Sequence, residues 1–323
     1  MKPRLFIGID VGGTKILGAL VNENGKIIAR KKHPTPRAKN AKSIISSITQ
    51  LASELLAEHG CSLKCISGIG VGIPGIVDSD TSKILITPNI KLTGIGLAEK
   101  LKKMFKVPLV LGNDVNLGTL GEYWRGAGRR YSTIIGIFPG TGVGGGIILN
   151  GKIYDFRAGA AELGHMTMEL DGPQCTCGNY GCLEALVGRW AIERDIRKAV
   201  KKGKKTILTK LTDNNLSVIK SKILKKALKK NDPVTTAIMK RVAHTLGRAC
   251  ISLRHILNPQ LIVFGGGIIE ACGDFLLPRI RKTVNADPFF KKAGISDCVI
   301  KNAALGDDAV IIGAVALIKE KIK

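Results

Sequence analysis

The stretch from residue 7 to residue 28 is echoed from residue 135 to residue 154, and this internal repeat limits the folds open to the chain more than any other feature. The first copy reads Ile7-Gly8-Ile9-Asp10-Val11-Gly12-Gly13-Thr14-Lys15, an apolar run from Ile16 to Val21, then Asn24-Gly25-Lys26-Ile27. The second reads Ile135-Gly136-Ile137-Phe138-Pro139-Gly140-Thr141-Gly142-Val143, an apolar run from Ile147 to Leu149, then Asn150-Gly151-Lys152-Ile153. Each copy predicts a strand, a glycine-rich turn, a second strand, an Asn-Gly hairpin and a third strand, since Asn-Gly supplies the positive φ angles of a tight hairpin. Two similar half-molecules follow.

The repeat also constrains the chemistry of its turns. Dinucleotide and P-loop sites need glycines that open a helix, whereas Gly12, Gly13 and Thr14, like Gly140, Thr141 and Gly142, fall between strands, which disfavours a dinucleotide. Such a hairpin turn can still hold phosphate, because backbone N–H groups free of side chains converge on an anion and the threonine hydroxyl adds a donor. Two such turns facing each other across a cleft would hold a nucleotide's phosphates from both sides. Further on, Asp232-Pro233 predicts a helix start and Asn258-Pro259 its stop. A strand from Leu261 to Phe264 ends in Gly265, Gly266 and Gly267, a flat surface able to admit adenine and ribose. Gly306-Asp307-Asp308 then precedes a helix of small residues suited to close packing.

His165, Cys175, Cys177 and Cys182 lie within one short stretch. One imidazole and three thiolates supply the ligands of a closed tetrahedral zinc site, with Gly172, Pro173, Gly178 and Gly181 letting the backbone fold round the ion. No position remains open for water, so this zinc would be structural and would fix the flanking acids Glu162 and Glu184. The competing reading is a disulfide or three core thiols, but Cys-x-Cys is a poor intrachain disulfide and the other cysteines, at 61, 65, 250, 272 and 298, are scattered. The apolar run before Asp10 is too short for a secretory segment and no stretch is long enough to span a bilayer, so a reducing cytoplasm is expected.

At 323 residues and 45% hydrophobic content the chain can fill two domain cores, but its formal charge of +25 is unusual and attracts anions of every kind, nucleic acid included. The lysines concentrate at 201, 202, 204 and 205 and again from 220 to 230, on stretches whose apolar residues recur at helical spacing, which reads as solvated helix faces. No aromatics interleave them, aromatic content is 4%, and the chain opens on a strand instead of a helix-turn-helix module, so nucleic acid is disfavoured as a partner. A strand from Val107 to Leu111 delivers Gly112-Asn113-Asp114-Val115-Asn116 to the start of a helix. Read from the residues alone, Asp114 is either a helix cap or a general base at a strand end.

Asp10-Val-Gly-Gly-Thr-Lys, Gly140-Thr-Gly-Val-Gly-Gly-Gly, Gly265-Gly-Gly and the Gly313-Ala helix resemble the phosphate, adenosine and connecting motifs of the actin-like ATPase superfamily. Glu162-x-x-His165 followed by Cys-x-Cys-Gly-x-x-Gly-Cys-x-Glu resembles the signature of the ROK family, which holds bacterial sugar kinases and sugar-responsive repressors. The resemblance runs nearly end to end. It implies a two-domain α/β fold of the actin-like, ribonuclease H-like kind, with a nucleotide and sugar cleft between the domains. It further implies Asp114 as general base; Gly75, Asn89, Asn113, Asp114, Glu162, His165 and Glu184 as sugar-binding groups; and a doubly used His165, one ring nitrogen on zinc and the other on a sugar hydroxyl. Asp10 would face the phosphates and help hold Mg²⁺, beside Gly12, Gly13, Thr14 and Lys15, with Gly140, Thr141, Gly142 and Gly265 to Gly267 completing the ATP site.

The expected reaction is ATP-dependent phosphorylation of the 6-hydroxyl of a hexose, glucose first, because Gly121-Glu-Tyr-Trp-Arg-Gly-Ala-Gly and Gly142-Val-Gly-Gly-Gly look most like the glucokinase branch. N-acetylglucosamine, N-acetylmannosamine or fructose as acceptor are the alternatives within this class. The alternative from another class is a sugar-responsive transcriptional regulator without kinase activity. Repressors of the family carry an added N-terminal DNA-binding domain, for which no room is expected before Phe6. The domains are expected at 1–112 plus 307–323 and at 113–306, with the zinc knot at 165–182 in the latter, and a homodimer or homotetramer is expected by analogy.

Overall fold

A computed structural model describes residues 4–88, 90–154, 158–295 and 298–322. In chain order the strands are β1 (Leu5–Val11), β2 (Lys15–Asn22), β3 (Ile27–Pro34), β4 (Ile66–Ile73), β5 (Ile76–Asp78), β6 (Lys83–Ile86), β7 (Leu109–Asn113), β8 (Ile134–Pro139), β9 (Val143–Leu149), β10 (Lys152–Ile153), β11 (Leu261–Phe264) and β12 (Val299–Asn302). The helices are α1 (Ala41–Glu58), α2 (Leu97–Phe105), α3 (Asp114–Arg125), α4 (Leu183–Val187), α5 (Arg189–Lys201), α6 (Leu208–Leu211), α7 (Ser221–Lys229), α8 (Pro233–Leu257), α9 (Gly267–Asn285), α10 (Pro288–Lys292) and α11 (Ala309–Lys321).

The repeat seen in the sequence is a repeat of sheet topology. One five-stranded sheet runs β3-β2-β1-β4-β7 and the other β10-β9-β8-β11-β12, so each antiparallel three-strand meander is extended by two further strands. Those additions are parallel: β4 pairs with β1 and with β7, and β11 pairs with β8 and with β12. Parallel strands need a crossover, and helices on the sheet faces supply it. Fold class is therefore α/β with the doubled sheet expected of the actin-like superfamily.

Contacts divide the chain into two units, Met1–Ser132 with Gly146–Ala161 and Ala304–Lys323, and Thr133–Gly145 with Glu162–Ala303. In the first unit β1 is apolar nearly throughout because both its faces are covered. On one side lies α1, capped by Asn40, whose Oδ1 accepts from the Ser43 amide at 2.9 Å. Ile44, Ile48, Leu51 and Leu55 form its fully buried stripe, each contributing roughly 1.5–3 kcal/mol of transfer free energy. On the other side α11 lies directly on the strands: a Cβ on Gly70 would stand 2.1 Å from the Ala314 carbonyl oxygen. The edge strand β3 alternates in burial and carries Arg30, Lys31 and Lys32, charges that discourage pairing with another chain.

The first unit continues past residue 112 through α3, because α3 and α11 approach backbone to backbone. A Cβ on Gly313 would fall 1.7 Å from the Leu117 carbonyl oxygen, and one on Gly121 would fall 2.1 Å from that of Ala309. The second unit is built around β8, β11 and the helices α8 and α9. Leu261 to Phe264 are fully buried, and α8 presents Val242, Leu246 and Ala249 inward. Asp232 caps α8, accepting from the Thr235 amide at 2.8 Å, and Asn258 ends it in the left-handed conformation at φ 40°, as Asp232-Pro233 and Asn258-Pro259 predict. Among the described residues no helix is long and apolar enough to cross a membrane.

Candidate functional site

Cys175, Cys177, Cys182 and His165 converge so that their ligand atoms all lie within 4.8 Å of one another. Cys175 Sγ is 3.7 Å from His165 Nδ1, and Cys177 Sγ is 3.8 Å from Cys182 Sγ. Zinc bonds of about 2.3 Å to sulfur and about 2.0–2.1 Å to nitrogen, at tetrahedral angles, require about 3.8 Å between sulfurs and about 3.6 Å from sulfur to nitrogen. The donor set fits. Burial, with the neighbouring Cys177 and Cys175 thiols, pushes the Cys182 thiol up to about 12, and burial also raises Cys175. Thiols so placed hold their protons unless a cation takes their place. The backbone is shaped for the knot: Gly181, at φ 64°, would set a Cβ 1.6 Å from the Glu169 carbonyl oxygen.

Glu184 follows Cys182 on α4 and is buried. Its Oε1 accepts from the Thr176 hydroxyl at 2.9 Å and the Trp190 indole at 3.3 Å, and its Oε2 accepts from the Val143 amide at 3.0 Å. One carboxylate thus ties the knot to the Gly140-Thr141-Gly142 turn. Gly142 makes room for it, since a Cβ there would lie 2.2 Å from Oε2. The start of α5 holds the other side of the turn: the Arg189 amide donates to the Gly140 carbonyl at 3.0 Å and the Arg189 guanidinium donates to the Thr141 hydroxyl at 2.8 Å. Glu162 and His165 flank a short 3₁₀ turn, both partly exposed. Burial, and then the Glu184 carboxylate, raise Glu162 against the opposing pull of His165.

Gly265, Gly266 and Gly267 differ from the flat surface expected of them. Gly266, at φ 79°, is the N-cap of the 19-residue helix α9, so this run carries β11 into a helix N-terminus whose free amides suit an anion. Gly265 is also packed, with the Phe138 ring 2.6 Å from where its Cβ would be. Three glycines lack the side-chain cap by which a helix start is recognised, so this one leaves no mark in the sequence.

In the first unit Gly12, Gly13 and Thr14 form the β1–β2 hairpin turn, closed by the Gly12 amide on the Lys15 carbonyl at 2.9 Å. Gly13 has open space above it and Thr14 is exposed. Lys15 donates to Asp307 Oδ2 at 2.5 Å, a partner 292 residues distant that local spacing does not reveal. Asp10 is the last residue but one of β1 and feels the charge of Asp114. Burial first, then the Asp114 and Asp307 carboxylates against Lys15, lift its carboxyl to about 7.

The two readings of Asp114 are separated by its neighbour. Asn113 is the N-cap of α3, its Oδ1 accepting from the Asn116 amide at 2.9 Å, while Asp114 is the first helical residue. The Asn113 amide group also donates to the Gly75 carbonyl at 2.8 Å. Gly75, at φ 106°, would drive a Cβ to 2.1 Å from the Ile86 carbonyl oxygen. Two residues expected at the sugar are thereby joined; a third, Asn89, lies outside the described residues. Glu122, given no role of its own in the Gly121-Glu-Tyr-Trp stretch, is fully buried and accepts from the amides of Ala127, Ala304 and Leu305 at 2.7–3.0 Å, clamping the entry to α11. Its signal was an acid set among Leu117, Leu120 and Trp124 of α3, which spacing alone does not distinguish from a surface charge.

The sequence profile of the ROK family matches residues 6–321. The chain is 34% identical to a glucokinase of Halalkalibacterium halodurans over 99% of this chain and 97% of that protein. It is 31% identical to the DNA-binding transcriptional dual regulator NagC of Escherichia coli, over 97% of this chain and 75% of the regulator. Its fold superposes, at a TM-score of 0.82 and 30% identity, on the crystal structure of a ROK family glucokinase from Streptomyces griseus in complex with glucose and AMPPNP, covering 98% of this chain and 99% of that one. With the family profile spanning the molecule and the Glu-x-x-His and Cys-x-Cys-Gly-x-x-Gly-Cys knot assembled as one cluster, this chain belongs to the ROK family.

Proposed function

We propose that the chain transfers the γ-phosphoryl group of ATP to the 6-hydroxyl of a hexose, with glucose as the preferred acceptor. The observation that carries this reading is the placement of Asp114: it sits at the end of β7 beside Asp10, and capping of α3 is done by Asn113. Asp114 Oδ1 accepts from the Val115 amide at 2.9 Å, and a carboxylate at a strand end is the group suited to take the proton of an attacking hydroxyl. Similarity to glucokinases along nearly whole chains, one of them solved with glucose and AMPPNP, supports acceptor and donor.

In this reading the sugar hydroxyls are taken by Asn113 and Asp114, with Gly75 and Asn89 alongside, and by Glu162, His165 and Glu184. His165 Nδ1 faces the thiols, leaving Nε2 for a hydroxyl. The backbone N–H groups of the Gly12 and Gly140 turns hold phosphate oxygens, with Arg189 steadying Thr141 and Lys15 and the Gly265 to Gly267 helix start adding positive potential. Asp10 would hold Mg²⁺, which would screen the charge of the transferring phosphoryl group. The elevated carboxyl of Asp10 fits that assignment, because an acid crowded by Asp114 and Asp307 gains most from a cation. Zinc, held by His165 and the three cysteines, would serve structure only. The thiols belong in a reducing compartment, and the cytoplasm is our reading.

The experiment is ADP release with ATP and Mg²⁺ across glucose, N-acetylglucosamine, N-acetylmannosamine and fructose, with Asp114→Asn alongside. Glucose-stimulated turnover that falls about 10²–10⁴-fold in the variant is expected. The similarity to NagC favours one second reading, a sugar-responsive regulator, and sugar binding without ADP release would decide for it.

A further inference from the structure

The basic run at 201–205 lines a groove instead of a convex helix face. A cavity of about 690 Å³ opens between the C-terminal half of α5 and the N-terminal half of α8. Asp195, Lys198, Ala199 and Lys202 recur at the spacing of one helix face, and α8 answers with Val234, Ala237, Ile238 and Arg241. The floor is aliphatic, with Val234 and Ile238 buried. The rim carries Lys198, Lys202, Lys204, Lys205 and Arg241.

The groove is held in shape by hydrogen bonds at its ends. The Lys204 amide donates to the Ala199 carbonyl at 3.1 Å, which turns the chain back at the end of α5. Asp232, 2% exposed, then receives the Thr206 hydroxyl and the Ile207 amide at 2.9 Å each, pinning the Lys204-Lys205 segment to the start of α8. Asp195, the acid among the lining residues, is already paired with Arg194 at 2.8 Å and with Arg241. It orients Arg241 and leaves the lysines uncompensated. Like charges gathered this way repel one another, and more so where solvent is excluded, a cost that a multivalent anion reverses.

We propose that this groove binds a small phosphorylated organic anion, at a site separate from the glycine turns. The volume lies in the range of small-molecule sites, roughly 300–1,000 Å³. Several mobile ammonium groups suit two or more phosphate charges, and the aliphatic floor suits a compact carbon skeleton. Among the described residues no aromatic ring lines the groove, so the ligand is not one held by base stacking. The turns at Gly12 and Gly140 recognise phosphate by backbone amides; the groove recognises it by charge, and so is the more sensitive to salt.

The test is calorimetric titration of the folded, zinc-loaded protein without Mg²⁺, using inorganic triphosphate and a hexose bisphosphate as probes. Three proteins are compared: wild type, Lys202→Glu with Lys205→Glu in the groove, and Lys222→Glu with Lys226→Glu on exposed positions of α7, which changes the net charge equally. Both probes are expected to lose at least tenfold in affinity in the groove variant and less than threefold in the α7 variant. Equal losses in the two variants would show a diffuse field and overturn the site, as would an unaffected groove variant. If triphosphate responds to the groove variant and the hexose bisphosphate does not, the organic ligand is overturned.

Discussion

The Val143 amide donates to Glu184 Oε2 at 3.0 Å, and through that bond the cysteine knot and the glycine turn before β9 become one rigid piece. Glu184 lies two residues beyond Cys182, and Val143 one residue beyond Gly142, so the position of the turn depends on whether the knot is closed. Opening the knot therefore has a cost beyond the knot itself.

Chelation of zinc, or Cys182→Ser, is expected to lower the melting temperature by roughly 5–15 °C, corresponding to several kcal/mol at this chain length. Glu184→Gln keeps the metal but weakens the Val143 bond, and is expected to cost about 1–3 kcal/mol. Zinc analysis together with thermal melts separates the two, because Glu184→Gln should retain full metal content.

Asp10 supplies a pH dependence. Its carboxyl is raised to about 7 in the folded state, so the fold binds a proton there more tightly than the unfolded chain does. Stability from this group is fully present below about pH 4 and is lost as pH rises through about 7. In metal-free protein Asp10→Asn is expected to be more stable than wild type by roughly 1–3 kcal/mol at pH 8, the gain vanishing near pH 4. Urea titrations at the two pH values check this. A gain that persists at pH 4 would refute the assignment.

Arg189→Ala removes the guanidinium that donates to the Thr141 hydroxyl at 2.8 Å and leaves the backbone bonds of the turn in place. The expected effect is a rise in KM for ATP of about tenfold, equivalent to roughly 1.5 kcal/mol, with the KM for sugar little changed. Steady-state kinetics with each substrate varied in turn reads this split.

Gly313→Ala adds a single methyl where the Leu117 carbonyl oxygen stands 1.7 Å from the new carbon. Neither helix can move without disturbing the sheet beneath α11, so the substitution is expected to cost about 3 kcal/mol or more. Ala314→Ser, on the same helix, serves as a smaller perturbation, and both are compared by chemical denaturation.

Local pattern was enough for the repeated turns and the cysteine knot. The repeated strand-turn-strand of Asp10 and Gly140 is legible because Asn-Gly hairpins and continuous apolar runs are short-range signals, and the knot is legible because His165 and three cysteines lie close along the chain. The helix start at Gly266 was not legible, since glycine carries no cap, nor was the Glu122 clamp, whose partners Ala304 and Leu305 lie far along the chain.

By itself, then, the amino-acid sequence determined the two-fold α/β plan, the clustering of His165 with three cysteines and the presence of Asp114 at a strand end. Only the tertiary structure decided that Asn113 caps α3 in place of Asp114, that Lys15 meets Asp307, that Glu184 joins the knot to a turn, and that a lysine run lines a groove. The division has a physical cause. Hairpins, caps with side chains and clustered ligands are properties of neighbouring residues, whereas the burial of a charge, and which distant group answers it, exist only once the chain has closed on itself.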